Sequence, residues 1–211
     1  MTQRGFSLVE ISIVLVIVGL LLGAVLRGQS LIDSARVRNL INQQEAIKTA
    51  FYAFQDRFRA LPGDYQLASQ MIPDVPAWAN GNGDGEIGGA ESLLAWMHLS
   101  RAGFISGAYA MAGVSEGPNQ ANSPANPFGG LLALANDAEF AGATSARLNL
   151  TTGGQVPATV LAEVDRKTDD GNPATGAFRA TQATAVPANG CVIDGRWAAT
   201  DARNCGGAYL F

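Results

Sequence analysis

From Phe6 to Leu26 the chain runs for 21 residues with a single charge, Glu10. At 1.5 Å per residue this makes a helix of roughly 32 Å, long enough to cross the hydrocarbon core of a bilayer. A secretory signal peptide has a basic stretch, a shorter apolar core and then a small-residue cleavage site. Here the order differs. Arg27-Gly28-Gln29 follows the run with no Ala-x-Ala, whereas Gly5 places a small residue directly before it and Arg4 a cation before that.

Gly5-Phe6-Ser7-Leu8-Val9-Glu10 resembles the processing site of the type IV pilin and pseudopilin superfamily. The resemblance implies that prepilin peptidase cuts between Gly5 and Phe6 and methylates the new Phe6 amine. Residues 1–5 are then a leader, 6–26 the transmembrane part of the first helix, 27–60 its amphipathic part, and 61–211 a globular domain. Glu10 needs explanation, because a carboxylate at membrane depth costs about 2.5–3.5 kcal/mol on insertion scales. By the resemblance it meets the N-terminal amine of a neighbouring subunit during assembly; the alternative is a carboxylate solvated at the interface. Arg4 on the cytoplasmic side agrees with the positive-inside tendency. Arg27, Arg36 and Arg38 beyond the run weaken that argument, so orientation follows mainly from the processing motif.

Proline is absent between the membrane run and Pro62, and Ile47, Phe51, Phe54, Phe58 and Leu61 recur at alternating spacings of four and three. That is one apolar stripe on a helix, so a single helix is expected from about Phe6 to Ala60, ended by Leu61-Pro62-Gly63-Asp64. Gly19-x-x-x-Gly23 within it is a small-residue contact pattern of membrane helices.

Asn80-Gly81-Asn82-Gly83-Asp84-Gly85-Glu86-Ile87-Gly88-Gly89-Ala90-Glu91 follows the layout of an EF-hand-type calcium loop. Oxygen side chains stand at loop positions one, three and five, glycine at six and glutamate at twelve. A hard cation needs six to eight oxygens, and glycine permits the sharp turn that aims them inward. Asn80, Asn82, Asp84, the Glu86 carbonyl and Glu91 are the candidate Ca²⁺ ligands. Asparagine at the first position lowers the charge and places the expected affinity in the weak, extracellular range. The alternative is a cluster of Asn-Gly and Asp-Gly turns without an ion. Pro73 and Pro76 oppose an entering helix, while Glu91 to Ala102 reads as a helix closed by Gly103. Asp165, Asp169 and Asp170 form a second acidic group, which Asp169-Asp170-Gly171-Asn172-Pro173 marks as a turn.

His98 is the only histidine in the chain. With no second histidine and no neighbouring nucleophile, triads and metal hydrolysis lack their parts, and an enzyme is not expected. Net charge is −4, falling to −5 without Arg4. No basic stripe exists, so nucleic acid is not an expected partner. Cys191 and Cys205 are the only cysteines. In an exported domain they form a disulfide closing a loop of about 15 residues, worth roughly 3 kcal/mol in the loop-entropy model; the alternative is two buried thiols.

The remaining chain, about 150 residues, suffices for one core. Leu131 to Leu134 and Arg147 to Leu150 read as short strands or helical turns, and Pro157 opens a short helix carrying Val160, Leu161 and Val164. Gly176 to Ala180, Cys191 to Ile193 and Ala208 to Phe211 read as strands of a small antiparallel sheet. The expected class is α+β, a long N-terminal helix packed on a small antiparallel sheet.

The resemblance implies a structural subunit, a minor pilin or pseudopilin of a type IV pilus or type II secretion-type filament. Its alternatives are a major pilin and a membrane-tethered calcium-dependent binding domain. Its expected partners are prepilin peptidase, other pilin or pseudopilin subunits, an inner-membrane assembly platform and membrane lipid. Its expected location is the bacterial inner membrane, with the globular domain in the periplasm, and then the filament. The chain has no phosphate-binding loop, so any assembly motor is a separate protein.

Overall fold

The computed structural model describes residues 8–182, 190–200 and 202–211. Its first element is a 51-residue helix, α1 (Leu8–Phe58), which at 1.5 Å per residue is roughly 76 Å long. Among the described side chains its first half is exposed and burial begins at Val37. From there Val37, Leu40, Gln44, Ile47, Phe51 and Phe54 are buried at alternating spacings of three and four. Phe58 and Leu61 continue the stripe as half-buried residues against the same core. Arg59, at φ 53°, turns the chain out of the helix, and its N–H still donates to the Gln55 carbonyl at 2.9 Å.

A four-residue helix, α2 (Ala68–Met71), and a 3₁₀ turn, Ala77–Ala79, lead into the 80–91 loop. Pro73 and Pro76 separate them, so no long helix enters that loop. α3 (Glu91–Arg101) follows. It is buried on almost every side, with Trp96, Ala95 and Leu99 fully inaccessible. Gly103 adopts φ 80°, and the Phe104 N–H returns to the Leu99 carbonyl at 2.9 Å, the backbone reversal that closes a helix at glycine.

Next come β1 (Ala133–Asp137), β2 (Arg147–Thr151), α4 (Ala158–Thr168) and β3 (Phe178–Ala180). A hairpin of β4 (Val192–Ile193) and β5 (Arg196–Trp197) precedes β6 (Gly207–Leu210). β1, β2, β6 and β3 form one antiparallel sheet in that order. Its register aligns Leu134, Leu150, Tyr209 and Phe178 in a single row. Lys48 of α1 lies 4.1 Å from the centre of the Tyr209 ring, so this face of the sheet looks toward the long helix. The other face carries a small cluster of Phe140, Ala208 and Leu210. α4 also packs on α1, as its buried Val160, Leu161 and Val164 require.

One expected strand lies elsewhere. Cys191 to Ile193 does not join the main sheet; Val192–Ile193 pairs with Arg196–Trp197 as a separate two-stranded unit. The cause is local: Asp194 and Gly195 both have positive φ, 51° and 72°, the two-residue turn geometry that commits flanking residues to each other. The hairpin is tied down twice. Cys191 and Cys205 form a buried disulfide with Cα atoms 5.8 Å apart, and the Trp197 Nε1–H donates to Asp165 Oδ2 at 2.6 Å.

Candidate functional site

Two parts of the molecule carry the residues singled out above. Gly5 and Phe6 lie outside the described residues. Glu10 sits in the first turn of α1 and is exposed, as are the apolar side chains around it. Leu8–Phe58 contains an 18-residue window of mean hydropathy 2.8, none of it buried inside the molecule. A helix apolar all round and uncovered by its own chain is built for lipid or for other helices. Ser12 closes its hydroxyl onto the Val9 carbonyl at 2.8 Å, so this polar side chain makes its hydrogen bond within the helix.

The second part is the corner formed by residues 61–64, the 80–91 loop and the start of α3. Gly63 has φ 91°, and a Cβ there would overlap the Glu91 carbonyl, as one at Gly81 would overlap the Asp64 backbone. These two glycines allow the segments to lie directly on each other. Asp64 is consequently 5% exposed, with its carboxylate under the loop. It accepts the N–H of Gly83, that of Asp84 at 3.1 Å and that of Gly85 at 2.9 Å.

Glu91 closes the other side, accepting the Asn82 N–H at 2.9 Å and the Gly88 N–H at 3.1 Å. Asp84 accepts the Glu86 N–H at 2.9 Å and the Asn82 side-chain amide at 2.9 Å. Carboxylate oxygens of Asp64, Asp84 and Glu91 come within 4.8 Å of one another. No Lys or Arg forms an ion pair with any of the three among the described residues.

Of the five candidate ligands, the structure brings Asp84 and Glu91 together. Asn80 turns its Oδ1 to the Ser69 N–H at 2.8 Å, and Asn82 turns its Oδ1 to the Asp84 N–H at 2.8 Å. The Glu86 residue is exposed. The carboxylate that sequence reasoning missed is Asp64, which stands 19 to 21 residues before the N–H groups it binds. Its only signal is the Pro62-Gly63-Asp64 sequence, which reads equally well as a helix stop.

His98 holds the same corner from below. Its Nδ1 accepts the Gly63 N–H at 2.9 Å and its Nε2 lies 2.8 Å from the Ala79 carbonyl. A carbonyl only accepts, so these contacts assign the neutral Nε2–H tautomer. The ring is fully buried and stacks at 11° on Phe54, with centroids 6.3 Å apart. Burial pushes its pKa below the ordinary histidine value, against the opposing pull of the Ala79 bond.

The second acidic group spans the end of α4 and the turn after it, and carboxylate oxygens of Asp165, Asp169 and Asp170 also come within 4.8 Å of one another. Asp165 accepts the Gly171 N–H at 3.0 Å, Asp169 the Phe178 N–H at 2.8 Å and Asp170 the Asn172 N–H at 2.8 Å. Burial raises the Asp165 pKa, and its bonds from Trp197 and Gly171 oppose the rise.

Residues 1–26 match the family model of the prokaryotic N-terminal methylation motif. No curated protein and no solved structure matches the chain significantly. The matched residues run into the exposed apolar half of α1. Together they support a type IV pilin-like protein of the prepilin type.

Proposed function

We propose that the chain is a minor pilin or pseudopilin, a structural subunit of a type IV pilus or type II secretion-type filament. The observation that carries this reading is an uncovered apolar helix whose first turn includes Leu8-Val9-Glu10 of the Gly5-Phe6-Ser7-Leu8-Val9-Glu10 motif. Prepilin peptidase cuts between Gly5 and Phe6, and the subunit waits in the inner membrane with residues 61–211 in the periplasm. It then joins other subunits through the assembly platform. In that setting Glu10, in an apolar surround, takes the cationic Phe6 amine of a neighbour as its partner.

Two measurements test this. The mass and N-terminal sequence of the protein from its native membrane are expected to show N-methylated Phe6, dependent on the peptidase. A retained Met1 terminus in a cell with active peptidase would instead favour a tethered binding domain. Glu10→Ala is expected to be cleaved normally yet to enter filaments about tenfold less, since an unmatched charge pair of this kind exceeds 1.4 kcal/mol. Incorporation equal to wild type would remove that role from Glu10. Abundance in purified filaments separates a minor from a major subunit.

We further propose that the 80–91 corner takes Ca²⁺. Three carboxylates within 4.8 Å of one another are a hard-oxygen donor set suited to this ion. Asp64, Asp84 and Glu91 supply its charge, while the Asn80 and Asn82 Oδ1 atoms stay on the Ser69 and Asp84 N–H groups. The ion's role is to neutralise this cluster and stabilise the domain. At ten times its Kd, Ca²⁺ is expected to add about 1.4 kcal/mol to unfolding stability. A urea midpoint unmoved by calcium up to about 10 mM, well above the weak extracellular range, would reject the site.

A further inference from the structure

Two Asn-Gly pairs stand in the 80–91 loop, Asn80-Gly81 and Asn82-Gly83, and the fold treats them differently. Such a pair can close on itself: the glycine nitrogen, unhindered by a side chain, attacks the asparagine Cγ, forms a five-membered succinimide and expels ammonia. The outcome depends on where the asparagine side chain lies and on what touches each reacting atom.

At Asn82-Gly83 these atoms are all engaged productively. Asn82 is exposed, and its Oδ1 accepts the Asp84 N–H at 2.8 Å, which folds the side chain over the Gly83 peptide and polarises the Cγ carbonyl toward attack. Its Nδ2, the group to be expelled, donates to Asp84 Oδ2 at 2.9 Å. The Gly83 N–H donates to Asp64 Oδ1, so a base already sits on the proton that the nitrogen must lose. That bond leaves the attack open, because the N–H lies in the peptide plane and the nitrogen reacts through the electrons perpendicular to it. Glu91 Oε1 accepts the Asn82 N–H at 2.9 Å, and Gln66 Nε2 donates to the Asn82 carbonyl. The peptide is therefore held on both sides.

Asn80-Gly81 has the same two residues without these contacts. The Asn80 Oδ1 is drawn away to the Ser69 N–H at 2.8 Å, and the Gly81 N–H donates to the Tyr65 carbonyl at 3.0 Å, which is no base. A Cβ at Gly81 would overlap the Asp64 backbone, so this peptide has no room to turn. Asp84-Gly85 repeats the productive geometry, with Asp84 Oδ1 on the Glu86 N–H and Asp64 Oδ2 on the Gly85 N–H, but a carboxylate has no amine to expel.

We propose that Asn82 is a site of self-catalysed deamidation with Asp64 as its base. Gly83 N bonds to Asn82 Cγ as its proton passes to Asp64. The Cγ–Nδ2 bond breaks, Nδ2 takes a proton from water and leaves as ammonia, and Asp64 returns its proton to solvent. Water then opens the succinimide: attack at Cγ gives aspartate, and attack at the main-chain carbonyl carbon gives isoaspartate, with the chain rerouted through the side chain. The sum is one asparagine and one water giving one acid and one ammonia, with no oxidant or reductant. Either product adds a fourth carboxylate beside Asp64, Asp84 and Glu91. This chemistry needs no ion in the corner.

The test is peptide mapping by mass spectrometry on the full chain held in detergent at pH 7.5, with isoaspartate identified by electron-transfer fragmentation. Trypsin releases residues 60–101 as one peptide, because Arg59 and Arg101 are the flanking cleavage sites, and fragment ions separate the two asparagines. In the folded chain Asn82 is expected to convert about tenfold faster than Asn80, and about tenfold faster than it does itself in urea, where the two convert alike. Asp64→Asn removes the base while keeping an oxygen under the loop. It is expected to slow Asn82 to about its rate in urea and to steepen its pH profile, from nearly level between about pH 7 and 8.5 in wild type to about tenfold per pH unit, the slope of hydroxide-driven cyclisation.

Equal rates at the two asparagines of the folded chain, or an Asn82 rate no higher than in urea, overturns the proposal. Conversion that stays fast or quickens in folded Asp64→Asn also overturns it, tracing the reaction to a loosened loop. If Asp64→Asn does not fold, the wild-type pH profile decides: a level profile supports the base, and a rise of about tenfold per pH unit removes it.

Discussion

Asp64→Ala is expected to lower unfolding stability by about 3 kcal/mol, measured by urea denaturation in calcium-free buffer. The carboxylate accepts N–H groups from Gly83, Asp84 and Gly85, and each such charge-assisted bond is worth about 1.5–3 kcal/mol. The effects do not sum, because residues 83–85 are exposed and their N–H groups regain water when the acceptor is gone. Loss of repulsion toward Asp84 and Glu91 offsets a little more. Asp64→Asn keeps one oxygen for the loop but turns an NH₂ group toward the remaining N–H donors, and is expected to fall between wild type and alanine. If Asp64→Ala costs under about 1 kcal/mol, the loop is held by its own Asx turns and not by Asp64.

The second large effect is acid sensitivity from His98. Protonation would place Nδ1–H opposite the Gly63 N–H, so one hydrogen bond is lost and a buried charge appears. Because the folded-state pKa is lowered, the unfolded chain binds the proton first. Stability is therefore complete above the ordinary histidine value of about 6.5 and declines as pH falls below it, at a slope approaching about 1.4 kcal/mol per pH unit. Urea midpoints between pH 7.5 and 5.5 measure this window before most carboxylates titrate. His98 is the single histidine, so assignment is direct. His98→Leu is expected to be less stable at pH 7.5, because Gly63 and Ala79 lose their partner, yet nearly flat across the window. An unchanged slope in His98→Leu would place the titrating group elsewhere.

The long helix was legible because its signals are local and agree. The stripe through Phe51 and Phe54, the missing prolines and the Pro62 stop all point to one element, observed as Leu8–Phe58. The methylation motif was legible for the same reason, being contiguous over residues 1–26. α3 and α4 carried their own boundaries in Gly103 and Pro157. The Cys191–Cys205 disulfide followed from there being only two cysteines.

What escaped depends on residues far apart in sequence. Asp64 reads as part of a turn until the fold lays Gly81 on its backbone. Similarly, Asn136 of β1 fixes the loop by exchanging hydrogen bonds with Ile87: its Oδ1 accepts the Ile87 N–H at 2.9 Å, and its own N–H reaches the Ile87 carbonyl at 2.8 Å. Neither partner announces the other. Leu131 to Leu134 was ambiguous because four apolar residues fit a strand or a helical turn equally; pairing with β2 decides it over Ala133–Asp137. Cys191 to Ile193 misled for the opposite reason. Its strand character is real, but the Asp194-Gly195 turn supplies a neighbour at once.

α1 passes from its exposed apolar half into the core without a proline or a break. An axial pull on the anchor is therefore not taken up by a linker that straightens. It reaches the buried side chains of Leu40, Ile47, Phe51 and Phe54 as shear against α4 and α3. A pull on the exposed apolar half of α1 therefore carries the whole domain with it or tears the core.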